Sequence, residues 1–344
     1  MTTPDFFRAR LDAMIDLRHP LAVLATRMPW AEIESALAPC FARQDRKGRP
    51  IEGLDLFGPT LQVAGAGTSP AVPALRALID HQLGHGVHGI FVLGTTGEFY
   101  ALDDAEKQAV VAAAVAHCRG RTPVYVGTGA ESTREVLRLT KMAEREGADG
   151  VSVITPYFLK PTQAELVDHF RRVAESTKLA VVLYNNPATC GGVSIDPDTC
   201  AKLAVVGNVV GVKDSSGDLQ NTIEILRATA GESFSVLNGR DTLIFSALQM
   251  GAAGAIPASC NIAPELCVGI YTAFTHGDAA AAQALQARLH GVRMAMTLGT
   301  GNGAVKEAMA LLGRPAGPNR WPISPLSDEK RAKLRGILET AGLM

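Results

Sequence analysis

Lys213 is the residue of this chain whose position is most suggestive of chemistry. It lies in the segment Gly211-Val212-Lys213-Asp214, directly after the mostly apolar run 205–210. This pattern predicts a buried strand that delivers a lysine at its C-terminal end. Because desolvation disfavours an ammonium ion, such a lysine is readily present as a neutral amine that attacks a carbonyl carbon. The alternative is a solvated lysine just beyond a strand, which is the commoner environment for this residue type.

An amine that condenses with a carbonyl needs a neighbouring acid/base group to expel water and to move a proton. Tyr184 ends a very apolar run, one strand–helix unit before Lys213. Consecutive strands of a parallel barrel are usually neighbours, so both side chains are predicted to project into the same mouth. The alternative for Tyr184 is a core aromatic with a satisfied hydroxyl group.

The segment Gly94-Thr95-Thr96-Gly97-Glu98 offers two hydroxyl groups and several backbone N–H groups at a turn that enters a helix. Such a turn can bind a carboxylate, and Thr95 or Thr96 can also relay a proton. The alternative is an ordinary helix cap, because glycine and threonine are common there.

Short β-branched runs alternate with longer amphipathic runs from about residue 72 onward. The predicted strands are 88–93, 123–127, 150–154, 179–184, 209–213, 234–237 and 254–257. The predicted helices are 74–83, 103–117, 133–146, 163–176, 197–204, 219–230 and 242–250. The repeat of roughly 25–30 residues is typical of parallel βαβ units. Seven such units in a row predict an α/β protein with a closed (β/α)8 TIM barrel rather than an open sheet.

The eighth strand of the barrel should precede the first visible helix, and residues 60–64 are the best substitute for it. Residues 1–58 differ in composition and are predicted to form a mostly helical N-terminal extension. The barrel is predicted over 59–275. Helical runs at 279–297, 304–312 and 328–341 predict a C-terminal helical region over 276–344.

The composition limits the possible functions. The chain has 344 residues, is 47% hydrophobic and 19% charged, and has a formal net charge of −1. This balance argues against a nucleic-acid partner or a membrane surface. The six cysteines form no CxxC pair, and neither a leader peptide nor a membrane span is evident, so a cytoplasmic protein with reduced thiols is predicted. The three histidines at 81, 85 and 88 are interpreted as helix-end and surface residues rather than metal ligands.

Several motifs, in their order and spacing, resemble the dihydrodipicolinate synthase / N-acetylneuraminate lyase family. They are Gly94–Glu98, Thr155-Pro156-Tyr157, Tyr184-Asn185-Asn186-Pro187, Gly211–Asp214 and Gly239-Arg240-Asp241. The resemblance runs from about residue 73 to 343. It implies a (β/α)8 barrel that assembles into a dimer or tetramer. It also implies that Lys213 forms a Schiff base with pyruvate or another 2-oxo acid. Tyr184 would be the general acid/base, Thr95 and Thr96 would contact the carboxylate, and no metal or organic cofactor would be needed.

Two positions depart from the family's lysine-pathway synthases. Those enzymes typically carry an arginine where this chain has Thr189, and they use a second tyrosine, donated across the dimer, where this chain has Phe158. We therefore predict an aldolase or lyase that acts on a 2-keto-3-deoxy sugar acid or a similar 2-oxo acid and releases an aldehyde. The residues predicted to contact the substrate are Gly94, Thr95, Thr96, Thr189, Gly239, Asp241, Ser259 and Asn261.

Three alternatives remain open for the function. The first is the lysine-pathway enzyme, 4-hydroxy-tetrahydrodipicolinate synthase. The second is a binding protein that keeps the fold without the chemistry. The third is an inactive fusion product, because residues 1–70 resemble the N-terminal segment of a bacterial insertion-sequence transposase and the family's own first strand is absent.

Overall fold

The computed structural model describes residues 71–300, 302–314 and 316–344. Its strands form one parallel sheet in which each strand pairs with the next along the chain. The strands are β1 (Ile90–Val92), β2 (Val124–Gly127), β3 (Gly150–Ile154), β4 (Ala180–Asn185), β5 (Val209–Asp214), β6 (Ser235–Asn238) and β7 (Gly254–Ala255).

Helices alternate with these strands. One helix, α1 (Ala71–Gly84), precedes β1. The helices that follow β1 to β7 in turn are α2 (Asp104–Cys118), α3 (Thr133–Arg145), α4 (Gln163–Glu175), α5 (Pro197–Ala204), α6 (Leu219–Ala228), α7 (Ile244–Gln249) and α8 (Pro264–Thr275). The C-terminal region adds α9 (Ala279–Ala295), α10 (Gly303–Leu311) and α11 (Asp328–Thr340).

The strands are apolar on both faces because both faces are covered. Every residue of β3 is buried, and so is every residue of β4 after Ala180. The largest core cluster joins these strands to the inner faces of the helices, including Leu166 and Phe170 of α4. Parallel sheets with helices packed against them show this continuous hydrophobicity. The strands therefore end together at one edge, where their C-terminal residues meet.

The predicted fold class is confirmed, and most elements have bounds within a few residues of the prediction. Strand 150–154 and helix 197–204 have the predicted bounds. The predicted helix 242–250 divides into a 3-10 turn, Asp241–Leu243, and α7. Leu243 adopts φ −120° and ψ 11°, which is not helical, and this conformation separates the two.

Three sequence-based predictions concern residues 1–70 and lie outside the described residues. They are the N-terminal extension, the transposase resemblance and the substitute strand at 60–64. Among the described strands, β1 and β7 are the two edges of the sheet. The domain boundaries stay a prediction. In the part of the chain that the structure describes, no helix combines the length and the apolarity needed to cross a bilayer.

Candidate active site

Strands β4 and β5 place a lysine beside a tyrosine at the C-terminal edge of the sheet. Tyr184 and Lys213 are direct partners in the register of the two strands. The Nζ of Lys213 lies 4.2 Å from the centroid of the Tyr184 ring and 5.0 Å from that of Phe91. Both residues are buried, with 7% of Lys213 and 5% of Tyr184 exposed. The amine therefore lies close to two aromatic rings, in the apolar setting that favours a lysine nucleophile.

Two polar neighbours hold the hydroxyl group of Tyr184. The Oγ1 of Thr95 lies 3.4 Å from it, and Nδ2 of Asn186 donates to it over 3.2 Å. Burial raises the pKa of the phenol, but Lys213 and these two hydrogen bonds act in the opposite direction and prevail. The pKa of Tyr184 therefore lies below its ordinary value of 10.0. A phenol in this environment gives up its proton more easily than free tyrosine does.

A buried carboxylate on the opposite face of β5 fixes the strand end that carries Lys213. Asp214 is 2% exposed. It accepts hydrogen bonds from Nδ2 of Asn185 at 2.9 Å and from Oγ1 of Thr222 at 2.7 Å. It also accepts one from the backbone N–H of Ser216 at 3.1 Å. Because side chains alternate across a strand, this network leaves the inner face to Lys213 and Tyr184.

The turn Gly94–Glu98 follows β1 and lies beside Tyr184. A Cβ on Gly94 would come within 2.7 Å of the Phe91 ring, so only glycine allows the turn to pack so closely. The side-chain amide of Asn302 donates to the carbonyl oxygens of Thr95 at 3.1 Å and Thr96 at 2.9 Å. Because these carbonyl groups are engaged, the turn offers hydroxyl and N–H groups to a ligand, which suits a carboxylate.

A buried ion pair holds the same turn from the other side. Glu98 is 3% exposed and pairs with Lys306 of α10, which is 7% exposed. The other carboxylate oxygen of Glu98 accepts from the backbone N–H of Arg320 at 3.1 Å, and Lys306 also donates to the carbonyl of Pro318 at 2.9 Å. Burial lowers the pKa of Lys306, and the neighbouring carboxylate of Glu98 opposes this effect. The C-terminal region thus fixes the turn that follows β1.

A cavity of about 1050 Å³ runs along the sheet, from the start of β1 at Ile90 to the C-terminal edge that carries Lys213. Its wall includes every predicted site residue except Ser259. The predicted residues that it brings together are Lys213, Tyr184, Gly94, Thr95, Thr96, Thr189, Gly239, Asp241 and Asn261. The placement of an amine beside a phenol suits covalent carbonyl chemistry.

Two of the predicted substrate contacts have their polar atoms occupied by each other. Asp241 accepts from the backbone N–H of Ser259 at 2.8 Å and from its hydroxyl group, and it forms an ion pair with Arg293 at 3.0 Å. Ser259 is fully buried. The geometry gives no support to a substrate contact by Ser259, because its hydroxyl is bonded to Asp241. Asn261 lies in the cavity wall, but its side chain bonds to Gln82 and to the carbonyl of Ala258.

The two residues that depart from the synthase pattern are both exposed. Thr189 lies in the cavity wall and donates its hydroxyl to the carbonyl of Asn186 at 3.3 Å. Phe158 is 93% exposed and has a left-handed φ of 80°, which is unusual for an aromatic residue. Its side chain therefore points away from the body of the chain.

Sequence reasoning missed the residues that support the site. Asn302 lies in the glycine-rich segment 299–303, between the predicted helices 279–297 and 304–312. The pairing of Glu98 with Lys306 spans 208 positions along the chain. The one local signal was a lysine placed among apolar residues in the segment Ala304-Val305-Lys306, because a lysine on a buried helix face needs a partner.

The comparisons with known proteins agree with this geometry. The family model described as the dihydrodipicolinate synthetase family matches residues 71–341. A 4-hydroxy-tetrahydrodipicolinate synthase from Methanoculleus marisnigri is 40% identical over 79% of this chain and 92% of its own length. The synthase of the same name from Methanothrix thermoacetophila is 41% identical over 74% of this chain and 85% of its own length.

A solved structure shows the same fold. YagE, a prophage protein of E. coli K12 from the dihydrodipicolinic acid synthase family, was crystallised in complex with pyruvate. It is 36% identical to this chain, and the two superpose with a TM-score of 0.76 over 79% of this chain and 93% of YagE.

The first prediction concerns Asn302. Asn302→Ala removes both hydrogen bonds to the carbonyls of Thr95 and Thr96, each worth about 0.5–1.5 kcal/mol. We expect the pyruvate concentration that half-saturates borohydride trapping to rise about tenfold, because the turn that is predicted to bind the carboxylate loses its support. The amount of trapped adduct is measured by mass spectrometry of the intact protein.

The matched control is Asn208→Ala. Asn208 also donates to backbone carbonyls, those of Ala174, Thr177 and Leu179, but at the opposite end of β5. It should lower the free energy of unfolding and leave the half-saturating pyruvate concentration unchanged. Equal effects of the two substitutions on that concentration would refute the positioning role of Asn302.

Proposed function

Because this chain belongs to the dihydrodipicolinate synthetase family, we propose that it is a pyruvate-dependent class I aldolase in which Lys213 carries the covalent intermediate. Enzymes of this family are lyases that work through a lysine Schiff base with pyruvate. The observation that carries the assignment to Lys213 is its position in register with Tyr184, with its amine 4.2 Å from the phenol ring.

The proposed reaction begins at the amine of Lys213. Its nitrogen attacks C2 of pyruvate, the carbonyl oxygen leaves as water, and a C=N bond replaces the C=O bond. Loss of a proton from C3 gives an enamine, whose electron pair at C3 then forms a bond to the carbonyl carbon of an aldehyde. The aldehyde oxygen takes up a proton, and water hydrolyses the C=N bond to release the product and the free amine. The reverse sequence cleaves the same C–C bond.

Tyr184 supplies the proton transfers in this proposal. Its hydroxyl lies within hydrogen-bonding reach of Thr95, so a proton can pass between the phenol and the carboxylate-binding turn. The lowered pKa of Tyr184 makes its phenolate more accessible, which assists removal of the proton from C3. The hydroxyl and N–H groups of Thr95 and Thr96 bind the carboxylate of the 2-oxo acid.

The curated relatives favour the synthase reaction, so the alternative given by the sequence has better support than the main prediction of a sugar-acid substrate. Both reported relatives are named 4-hydroxy-tetrahydrodipicolinate synthase. The leading proposal is therefore condensation of pyruvate with the carboxylate-bearing aldehyde that this synthase uses.

A second candidate is cleavage of a 2-keto-3-deoxy sugar acid. It is favoured by Thr189, which lies in the cavity wall where the synthases typically carry an arginine. A threonine hydroxyl can bond to a hydroxylated substrate but cannot form an ion pair with a carboxylate. Phe158 likewise has no hydroxyl group with which to relay a proton.

We also propose a homo-oligomer, a dimer or tetramer, located in the cytoplasm. The support for the homo-oligomer is the exposed apolar pair Phe158 and Leu159, which are 93% and 74% exposed. Burial of two such neighbours against a second copy of the chain would remove apolar surface from water.

An inactive fusion product or a binding protein would lack the covalent adduct that the following experiment measures.

The second prediction tests the nucleophile. Borohydride added with pyruvate should reduce the Schiff base and attach pyruvate irreversibly to Lys213, because reduction removes the hydrolysable C=N bond. Peptide mass spectrometry locates the adduct. Lys213→Ala should abolish it, and Lys202→Ala, at an exposed lysine of α5, should not. A folded wild-type protein that acquires no adduct would contradict the proposed function.

The third prediction concerns Tyr184. Tyr184→Phe should slow turnover by about 10²–10⁴-fold, the usual contribution of a general acid/base. In the wild type, turnover that needs the protonated phenol should fall as the pH rises through the Tyr184 pKa. Since that pKa lies below 10.0, the fall begins at a lower pH than for free tyrosine.

The pH profile of Tyr184→Phe should lack this alkaline fall. Tyr271→Phe, at a tyrosine of α8 that packs edge-on against His88, is the control and should keep the wild-type profile. An unchanged alkaline limb in Tyr184→Phe would assign it to another group.

The fourth prediction separates the two substrates. We expect the rate of condensation of pyruvate with the synthase's carboxylate-bearing aldehyde to exceed the rate of pyruvate release from 2-keto-3-deoxygluconate. Both reactions are followed by the change in pyruvate concentration. Faster release from the sugar acid would replace the leading proposal by the second candidate and leave the Schiff-base mechanism intact.

A further inference from the structure

We propose that Arg240 binds an anionic group at the far end of the substrate, opposite the carboxylate that the turn after β1 holds. This inference rests on the proposed function, because it concerns the part of the substrate that extends away from the Schiff base. It makes Arg240 a specificity-determining residue for the aldehyde portion.

The backbone at Arg240 is fixed beside Lys213. Gly239 directly follows β6, and a Cβ placed on it would lie 3.0 Å from Cε of Lys213. The next residue, Arg240, is held at both its backbone polar groups by Asn238. Its N–H donates to Oδ1 of Asn238 at 3.1 Å, and its carbonyl accepts from Nδ2 at 2.8 Å. Asn238 is 3% exposed, so this support is rigid.

The side chain of Arg240 extends from the loop after β6 to the loop after β5. It passes over Gly217 of the loop after β5, where a Cβ would lie 3.3 Å from Nε of Arg240. Gly217 has a φ of 79°, a conformation that glycine adopts without strain, and the absent side chain leaves space for the guanidinium. Arg240 itself is exposed and lines the cavity, so its donors are accessible to a bound ligand.

The charges of the cavity wall leave Arg240 uncompensated. Among the described residues of the wall, Asp241 is the one acidic side chain, and it forms an ion pair with Arg293. Lys306 is paired with Glu98. The remaining cations are Lys213, which becomes the Schiff base, and Arg240. A site with this balance favours a ligand that carries a second negative charge near the mouth.

Arg240 also compensates for Thr189. The arginine that the synthases typically carry at position 189 binds the carboxylate of the aldehyde, and this chain has a threonine there. Arg240 lines the same cavity from the loop after β6. Its planar fork suits a carboxylate or a phosphate equally well.

The test uses 2-oxo acids that form the adduct on Lys213 without an aldehyde. Two pairs of equal chain length differ only in the far end: 2-oxoglutarate with 2-oxopentanoate, and 2-oxoadipate with 2-oxohexanoate. Half-saturating concentrations for borohydride trapping are measured in the full-length protein, and each is divided by the value for pyruvate in the same variant. The variants are Arg240→Gln, Arg240→Lys and the control Arg172→Gln, at an exposed arginine of α4.

We expect the wild type and Arg172→Gln to prefer the dianionic member of at least one pair by about tenfold. Arg240→Gln should remove most of this preference. Arg240→Lys should retain part of it, because lysine keeps the positive charge but cannot donate the two parallel hydrogen bonds of a guanidinium group. Added salt should weaken the preference, since the guanidinium is exposed.

Three outcomes would overturn the inference. They are a wild type without a preference in either pair, a preference that survives Arg240→Gln, and trapping with pyruvate but with none of the longer acids. Absence of any pyruvate adduct in the wild type would instead refute the proposed function itself. The two failures are thus distinguishable in one set of measurements. A phosphorylated aldehyde, glyceraldehyde 3-phosphate, compared with glyceraldehyde in the condensation reaction shows whether the bound anion is a phosphate rather than a carboxylate.

Discussion

The pairing of β4 with β5 is the constraint on which the candidate site depends. The parallel ladder sets Tyr184 opposite Lys213, so the phenol and the amine meet without any loop having to place them. Side chains alternate across each strand, and Asn185 and Asp214 therefore meet on the other face, where they bond to each other. One register thus produces a reactive pair on the inside and its structural support on the outside. A shift of one residue would exchange the two faces and bury the carboxylate beside the phenol.

The turn after β1, which is proposed to bind the carboxylate, depends on a different part of the chain. Asn302 and Lys306 belong to the C-terminal region, and they hold Thr95, Thr96 and Glu98 through two amide hydrogen bonds and a buried ion pair. A buried ion pair adds little net stability, because desolvation offsets its attraction, but removal of one partner leaves a costly unpaired charge. The pair therefore serves to specify one position of the turn. The C-terminal region thus positions the turn that follows β1.

The sequence predicted the elements better than it predicted the contacts between distant elements. Strand and helix periods are local, and they placed Lys213 and Tyr184 at adjacent strand ends because neighbouring strands of a parallel barrel follow one another along the chain. The support from Asn302 and Lys306 was not predictable in this way, since nothing local relates residue 98 to residue 306. Asp241 and Ser259 are a second case in which the structure adds a contact that local patterns did not show. As isolated polar residues they suggested substrate contacts, whereas the structure pairs them with each other.

The charged groups of the cavity wall have two separate proposed roles, one in the chemistry that the family shares and one in the substrate specificity of this chain. In the proposed reaction, Schiff-base formation uses one anion site, at the turn after β1, and one amine, and both lie at strand ends that the fold fixes. The second substrate is recognised by loops, which vary without disturbing the sheet. In the proposal, Arg240 replaces the arginine that the synthases typically carry at position 189, and this requires that a buried side chain fix the backbone of Arg240. Asn238 does so here by accepting from the N–H of Arg240 and donating to its carbonyl. The backbone from which the Arg240 side chain extends is therefore fixed, whereas the backbone of an exposed arginine on an unsupported loop would not be.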